Sequence, residues 1–191
     1  MRVKITISVL IFFLIVFYSL TKVNFLDYES PKKYEEIDSI TFNDFRGLEF
    51  FQNSLYGNEH FAYIKTSIDY QIENDSLIVE SFFHPSSSYV YNQNAFSKEL
   101  LSHELYHFKI TELYVRMIKK RISELKKTDK AEIENIINQL KINANEFQLK
   151  YDDETFHSYV LGKQKKYEKN IDSLLNLHSN FKKSKVYIHE K

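Results

Sequence analysis

Apolar and polar positions divide the chain into three regimes. From Ile5 to Leu20 there is no charge, and Ile, Leu, Val and Phe dominate. Arg2 and Lys4 precede this run, and Asp27, Glu29, Glu35, Glu36 and Asp38 come after it. As a helix the sixteen residues reach roughly 24 Å, at the short end for a membrane span and long for a signal-peptide core. The basic flank is expected to stay in the cytoplasm. Residues 1–21 therefore read as a signal peptide or membrane anchor. The rest of the chain then lies outside the cytoplasm, periplasmic or extracellular on an anchor, or secreted. Residues 22–38, charged and carrying Pro31, read as a tether, with the fold beginning near Ile40.

The second regime, to about Tyr91, is strand-like. Ile40 to Phe42, Phe61 to Ile72 and Ser76 to Phe83 carry the β-branched and aromatic residues that suit a pleated surface, and Asn74-Asp75 supplies a turn. Gly47, Gly57 and Pro85 punctuate the loops. The third regime changes period. After Ser97, an N-cap residue, Leu101, Leu105, Phe108, Tyr114, Ile118, Ile122 and Leu125 recur at helical spacing without Gly or Pro, which predicts a helix of seven or eight turns. A second helix is expected from Thr128-Asp129, with Ile133, Ile137, Leu140, Ala144 and Phe147 on one stripe. A third comes after Gly162, with Tyr167, Ile171, Leu174, His178 and Phe181. The expected class is α+β, a small antiparallel sheet followed by a helical half, in one domain over 39–185.

Composition narrows the chemistry. The 191 residues hold 26 Lys plus Arg against 26 Asp plus Glu, so no net field attracts a polyanion, and nucleic acid is not an expected partner. With 16 Phe and 14 Tyr the domain can pack a core unaided. There is no cysteine, which excludes disulfides, thiolate metal sites and cysteine nucleophiles. Any metal must be held by His and carboxylates.

Such a set is present. In LLSHELYHF, His103 and His107 stand four apart on the first predicted helix, so both imidazoles can reach one ion. Glu104 is rotated about 100° from His103, beside the metal instead of on it, where it can act as a general base toward an attacking water. This is the division of labour in an HExxH motif, and zinc is the expected cofactor. Glu112, nine residues from His103, falls on the opposite side of the helix and reads as a surface charge. For a third ligand, His157 in YDDETFHSY is the better candidate, with Asp152 and Glu154 as carboxylate rivals in the same segment. His178, on an apolar stripe, reads as a hydrogen-bonded core histidine; His60, His84 and His189 carry no assignment. Lys119, Lys120, Arg121, Lys126, Lys127 and Lys130 read as a solvated face near a helix C-terminus.

Four segments resemble a known family: ITFNDFRG (40–47), FFHPSSSYV (82–90), LLSHELYHFKITELYVR (100–116) and YDDETFHSYVLGKQKKYEKNI (151–171). The family comprises bacterial predicted secreted zinc-dependent proteases, a domain of unknown function placed among the zincin-like HExxH peptidases, and the resemblance covers about residues 40–178. It implies a zincin-like fold, His103 and His107 as ligands, Glu104 as base, and the Tyr151, Asp152, Thr155, His157 block as the second half of the site. His157 becomes the third ligand by this similarity. The family usually has Trp where Phe42 and Tyr89 stand, and Gly where this chain has Ser158, a difference that matters if φ is positive there. The resulting expectation is a zinc metallopeptidase acting on a peptide or protein substrate, with Tyr151 steadying the oxyanion. The alternative is a non-catalytic envelope interaction module with a structural or vestigial zinc site.

Overall fold

The structure, a computed structural model, describes residues 7–16, 29–47, 62–73, 75–90, 97–125 and 129–188. Its class is α+β, as the periodicity predicts. The strands are β1 (Lys32–Lys33), β2 (Ala62–Tyr63), β3 (Thr66–Glu73), β4 (Ser76–Phe83), β5 (Tyr89–Val90) and β6 (Lys185–Tyr187). The helices of the helical half are α1 (Lys98–Ser123), α2 (Lys130–Thr155) and α3 (Leu161–Leu177). β3 and β4 form an antiparallel hairpin in which Thr66 faces Phe83 and Glu73 faces Ser76. The other edge of β4 is shared, with β1 pairing at Phe82 and Phe83 and β6 at Ser76 to Ile78. A separate two-stranded ribbon joins β2 to β5.

One face of β4 explains the packing. Leu77, Val79 and Phe83 are fully buried on alternate positions, as period-two geometry requires. Leu77 and Val79, with Ile68 of β3, share a core with Ile110, Leu113, Ile118 and Ile122 of α1, Ile133 and Ile137 of α2, and Ile171 of α3. Phe83 anchors a smaller cluster with Ile37, Ile40, Phe45, Ile64 and Phe108. α1 is thus enclosed between the sheet and the other two helices. Its ends obey the sequence: Ser97 accepts from the backbone N–H of Leu100, and Asp129 caps α2 through Glu132.

Several expectations are corrected. Residues 29–38 are not tether: β1 pairs with β4, and Ile37 is buried. The apolar content of this stretch is only Tyr34 and Ile37, too sparse to show a period. Ile40 to Phe42 is not a strand, because the Thr41 and Asp44 side chains exchange hydrogen bonds with each other's backbone and start a 3-10 turn at Phe42. The stretch from Phe61 to Ile72 is split, Ala62–Tyr63 pairing with β5 and only Thr66 onward with β4. Gly162 lies inside the first turn of α3, where no neighbour restricts a side chain. Gly47 is different: its N–H donates to Ser88 O at 2.7 Å, and a Cβ would stand 2.8 Å from that oxygen. Only glycine allows this closure.

Residues 7–16 are helical with exposed apolar side chains. Among the described residues no helix is long and apolar enough to cross a membrane. The remainder of the expected anchor, residues 1–6 and 17–21, lies outside the described residues, as do His60, Lys126, Lys127 and His189.

Candidate metal centre

α1 and α2 run side by side so that the second and third turns of α1 face the C-terminal end of α2. The four-residue spacing places His103 and His107 on one face, with their Nε2 atoms 3.3 Å apart. Into this pair comes Asp152, whose Oδ1 lies 3.0 Å from His103 Nε2 and 2.9 Å from His107 Nε2. His157 Nδ1 is 3.4 Å from the same oxygen. His103, Asp152 and His157 form a group that could hold a metal ion, each offering a ligand atom within 4.8 Å of the others.

His157 arrives by an unusual route. α2 ends at Thr155, and Phe156, His157 and Ser158 then take φ of 51°, 49° and 76°. These left-handed residues reverse the chain, and the His157 N–H returns to Asp152 O at 3.2 Å. Ser158 stands where the resembled family has glycine, and its φ is positive. Three non-glycine residues in succession there store strain that the surrounding packing must hold.

The interior side of the site is buried. His103 is 1% exposed and His107 7%. The Tyr151 ring, fully buried, stacks on His103 at 4.6 Å and 18°, and meets His107 edge-on at 5.2 Å. Asp152 and His157 are partly open, so the approach is from their side. Burial pushes His103 down to about 4, with Asp152 opposing. Burial would also lower His107, but the carboxylates of Asp152 and Glu104 and the Gln148 hydrogen bond raise it. For Asp152, burial acts upward and is overcome by the His107 charge and hydrogen bonds from His103, His107 and His157, which hold the carboxyl far below its usual range. Glu104 is raised to about 7 by burial, against His107 and a hydrogen bond from the backbone of Ile64 just after β2.

The other sequence candidates separate cleanly. Glu154 points to lysines, at 3.7 Å from both Lys150 and Lys163. Glu112 does face away from His103, but it is not a surface charge. It is 4% exposed, accepting from Ser81 Oγ and from Arg116 Nε, each at 2.8 Å, because the far side of α1 meets the sheet and not water. Lys119, placed on a solvated face by the sequence, is buried for the same reason and donates to Lys183 O. His178 is buried and lines a cavity of about 490 Å³ with Met117, Lys120 and Leu140, remote from the site. His84 contacts Ser67 Oγ at 2.9 Å. A residue absent from the sequence reading is Gln148, whose Oε1 lies 3.0 Å from His107 Nδ1. Its position four residues before Asp152, on the same face of α2, is the signal that could have found it.

The whole cluster falls inside a family match. Residues 85–158 match the family described as bacterial protein of unknown function (DUF922). The DUF922 match covers the HExxH turn and the return through His157, and it assigns no activity. Neither the curated proteins nor the solved structures compared with this chain contain a match to it.

Proposed function

We propose that the protein is a zinc-dependent peptidase acting outside the cytoplasm, with zinc held by His103, His107 and His157. One observation carries this reading: three imidazole nitrogens and the Asp152 carboxylate converge beside a buried glutamate. Donors about 2.0–2.1 Å from a tetrahedral zinc stand roughly 3.3 Å apart; the His103 and His107 nitrogens stand 3.3 Å apart, and the three imidazoles reach Asp152 Oδ1 at 3.0, 2.9 and 3.4 Å. An all-nitrogen and oxygen set without thiolate is compatible with zinc.

When bound, zinc supplies the positive charge that polarises a carbonyl and makes water acidic near neutrality. Glu104 then accepts the proton of the attacking water and returns it to the leaving amine. Its burial keeps that carboxylate weakly solvated and hence basic. The ribbon β2–β5 flanks Glu104 through Ile64, whose backbone hydrogen bonds to it. Tyr151, with no exposed surface, serves by holding the His103 and His107 rings and is not the oxyanion partner first expected. The exposed apolar residues 7–16 support attachment to, or export across, a membrane.

A second reading has its own observation. Asp152 is a fourth protein donor, and four protein ligands make a closed structural site in a non-catalytic envelope module. The two readings part on one measurement. Full-length protein and Glu104→Gln are assayed for bound zinc and for turnover of a mixed peptide library. The peptidase reading expects zinc in both and at least a ~100-fold loss of turnover in Glu104→Gln. One tightly held zinc with no turnover by either form supports the structural site instead. His157→Ala and Asp152→Ala, compared for zinc affinity, show which of the two is the third ligand.

A further inference from the structure

We infer that Gln148 is a positioning residue for the metal centre: its side-chain carbonyl holds the proton on His107 Nδ1, leaving Nε2 to face the ion. This rests on the metal-site reading above. An imidazole can ligate through Nε2 only if any proton it retains sits on Nδ1, and an acceptor at Nδ1 fixes both tautomer and ring direction.

The hydrogen bonds around Gln148 decide which way its amide points. Thr111 Oγ1 lies four residues after His107 on α1 and donates its single proton to His107 O at 3.0 Å. It must then accept from its other neighbours. Thr66 Oγ1 of β3 stands 2.7 Å away as one donor, and Gln148 Nε2, at 3.4 Å, as the second. With the amide nitrogen committed to Thr111, the carbonyl Oε1 is the atom 3.0 Å from His107 Nδ1, so Nδ1 carries the hydrogen. A flipped amide would set Oε1 against an oxygen with no proton to offer and an N–H against Nδ1. The chain of bonds thus runs from the sheet through α1 to α2 and back to the ring. His103 lacks such a partner, since its Nδ1 is buried without one among the described residues. Its ring is held by stacking on Tyr151 instead. The two ligands of one motif are therefore oriented by different means, and Gln148 acts on His107 alone.

The test compares full-length wild type, Gln148→Leu and Gln148→Glu, stripped of metal and titrated with zinc against a competing chelator. Leu keeps the bulk without an acceptor; Glu keeps the acceptor. The expected result is a loss of about 10–100-fold in zinc affinity for Leu and near wild-type affinity for Glu. Long-range ¹⁵N–¹H correlations of His107 in the zinc-loaded wild type should place the proton on Nδ1. Wild-type affinity in the Leu variant overturns the inference while leaving the metal site standing. Equal losses in both variants, with equally lowered metal-free melting temperatures, overturn it in favour of simple packing. A wild type that binds no zinc overturns both this inference and the reading beneath it.

Discussion

At the scale of single residues, Glu104 makes the sharpest claim, because its carboxyl is buried where a charge is costly. The folded value of about 7 stands above the unfolded value of 4.5. Its contribution to stability is therefore fully present below pH 4.5 and is lost as pH rises through 7. Metal-free Glu104→Gln, neutral at every pH, should grow more stable relative to wild type across that window, by up to about 3 kcal/mol. Urea unfolding of both proteins in chelator at about pH 4, 5.5 and 7.5 measures this, and a constant difference would contradict it. Ser158 gives a second claim. With φ at 76° it occupies a conformation that favours glycine, and Ser158→Gly should raise the melting temperature by relieving about 1 kcal/mol of strain. Scanning calorimetry reads the shift; a lowered transition would mean that the hydroxyl matters more than the backbone. The sequence marked this position through one departure from a resembled family. It could not show that Phe156 and His157 share the strain, since Phe gives no sign of a positive φ and His only a weak one.

At the scale of elements, α1 shows what helical periodicity carries and what it omits. The four-residue spacing of His103 and His107 and the cap at Ser97 were legible, as was the rotation of Glu112 away from the histidines. The environment on the far side was not, because a hydrophobic stripe says which face is buried first and does not say whether the opposite face meets water or a sheet. Here Ser81, the polar residue on the inward face of β4, donates to Glu112, which forms a buried ion pair with Arg116, and Arg116 also donates to Leu175 O. Removing one member leaves the other charge uncompensated. Glu112→Ala should cost about 3–5 kcal/mol in denaturant unfolding, and zinc affinity of the fraction that folds should be unchanged. A selective loss of zinc affinity would place Glu112 in the site after all. The short elements were the least legible. β1 and β2 have two residues each, too few for any period; β1 exists because the longer β4 offers it a partner, and β2 pairs with the equally short β5.

At the scale of the whole molecule, the metal centre joins parts that the sequence separates. His103 and His107 come from α1, while Asp152 and His157 come from the end of α2 and the turn beyond it. An ion held by both would bind the folded chain and not the unfolded one. Zinc at ~100 times its dissociation constant should then stabilise the protein by about 2.7 kcal/mol, and a chelator should remove that increment. Thermal melts monitored by far-ultraviolet circular dichroism, with zinc and with chelator, test this. The helical signal at room temperature should stay the same in both, because the cores of α1 and α2 do not depend on the ion. Class and order of elements were readable from the switch between periods of two and about 3.6. The closing of the site was readable only in part, as two candidate segments without the turn that brings them together.

The shared edge of β4 bears on how this chain becomes a folded protein. β3 is its immediate neighbour in sequence, but the opposite edge is completed by Lys32–Lys33 and Lys185–Tyr187, segments separated by every helix of the helical half. A hairpin of β3 and β4 can form early, while the cover for the other edge waits on the most distant pairing in the fold. Until Lys185–Tyr187 docks, Ser76, Leu77 and Ile78 present unpaired backbone beside fully buried apolar side chains. That is a template on which a second unfinished chain can add. Folding yield should therefore fall with protein concentration more steeply than folded stability would suggest, and the interval before the last strand arrives is when the chain is most exposed to aggregation.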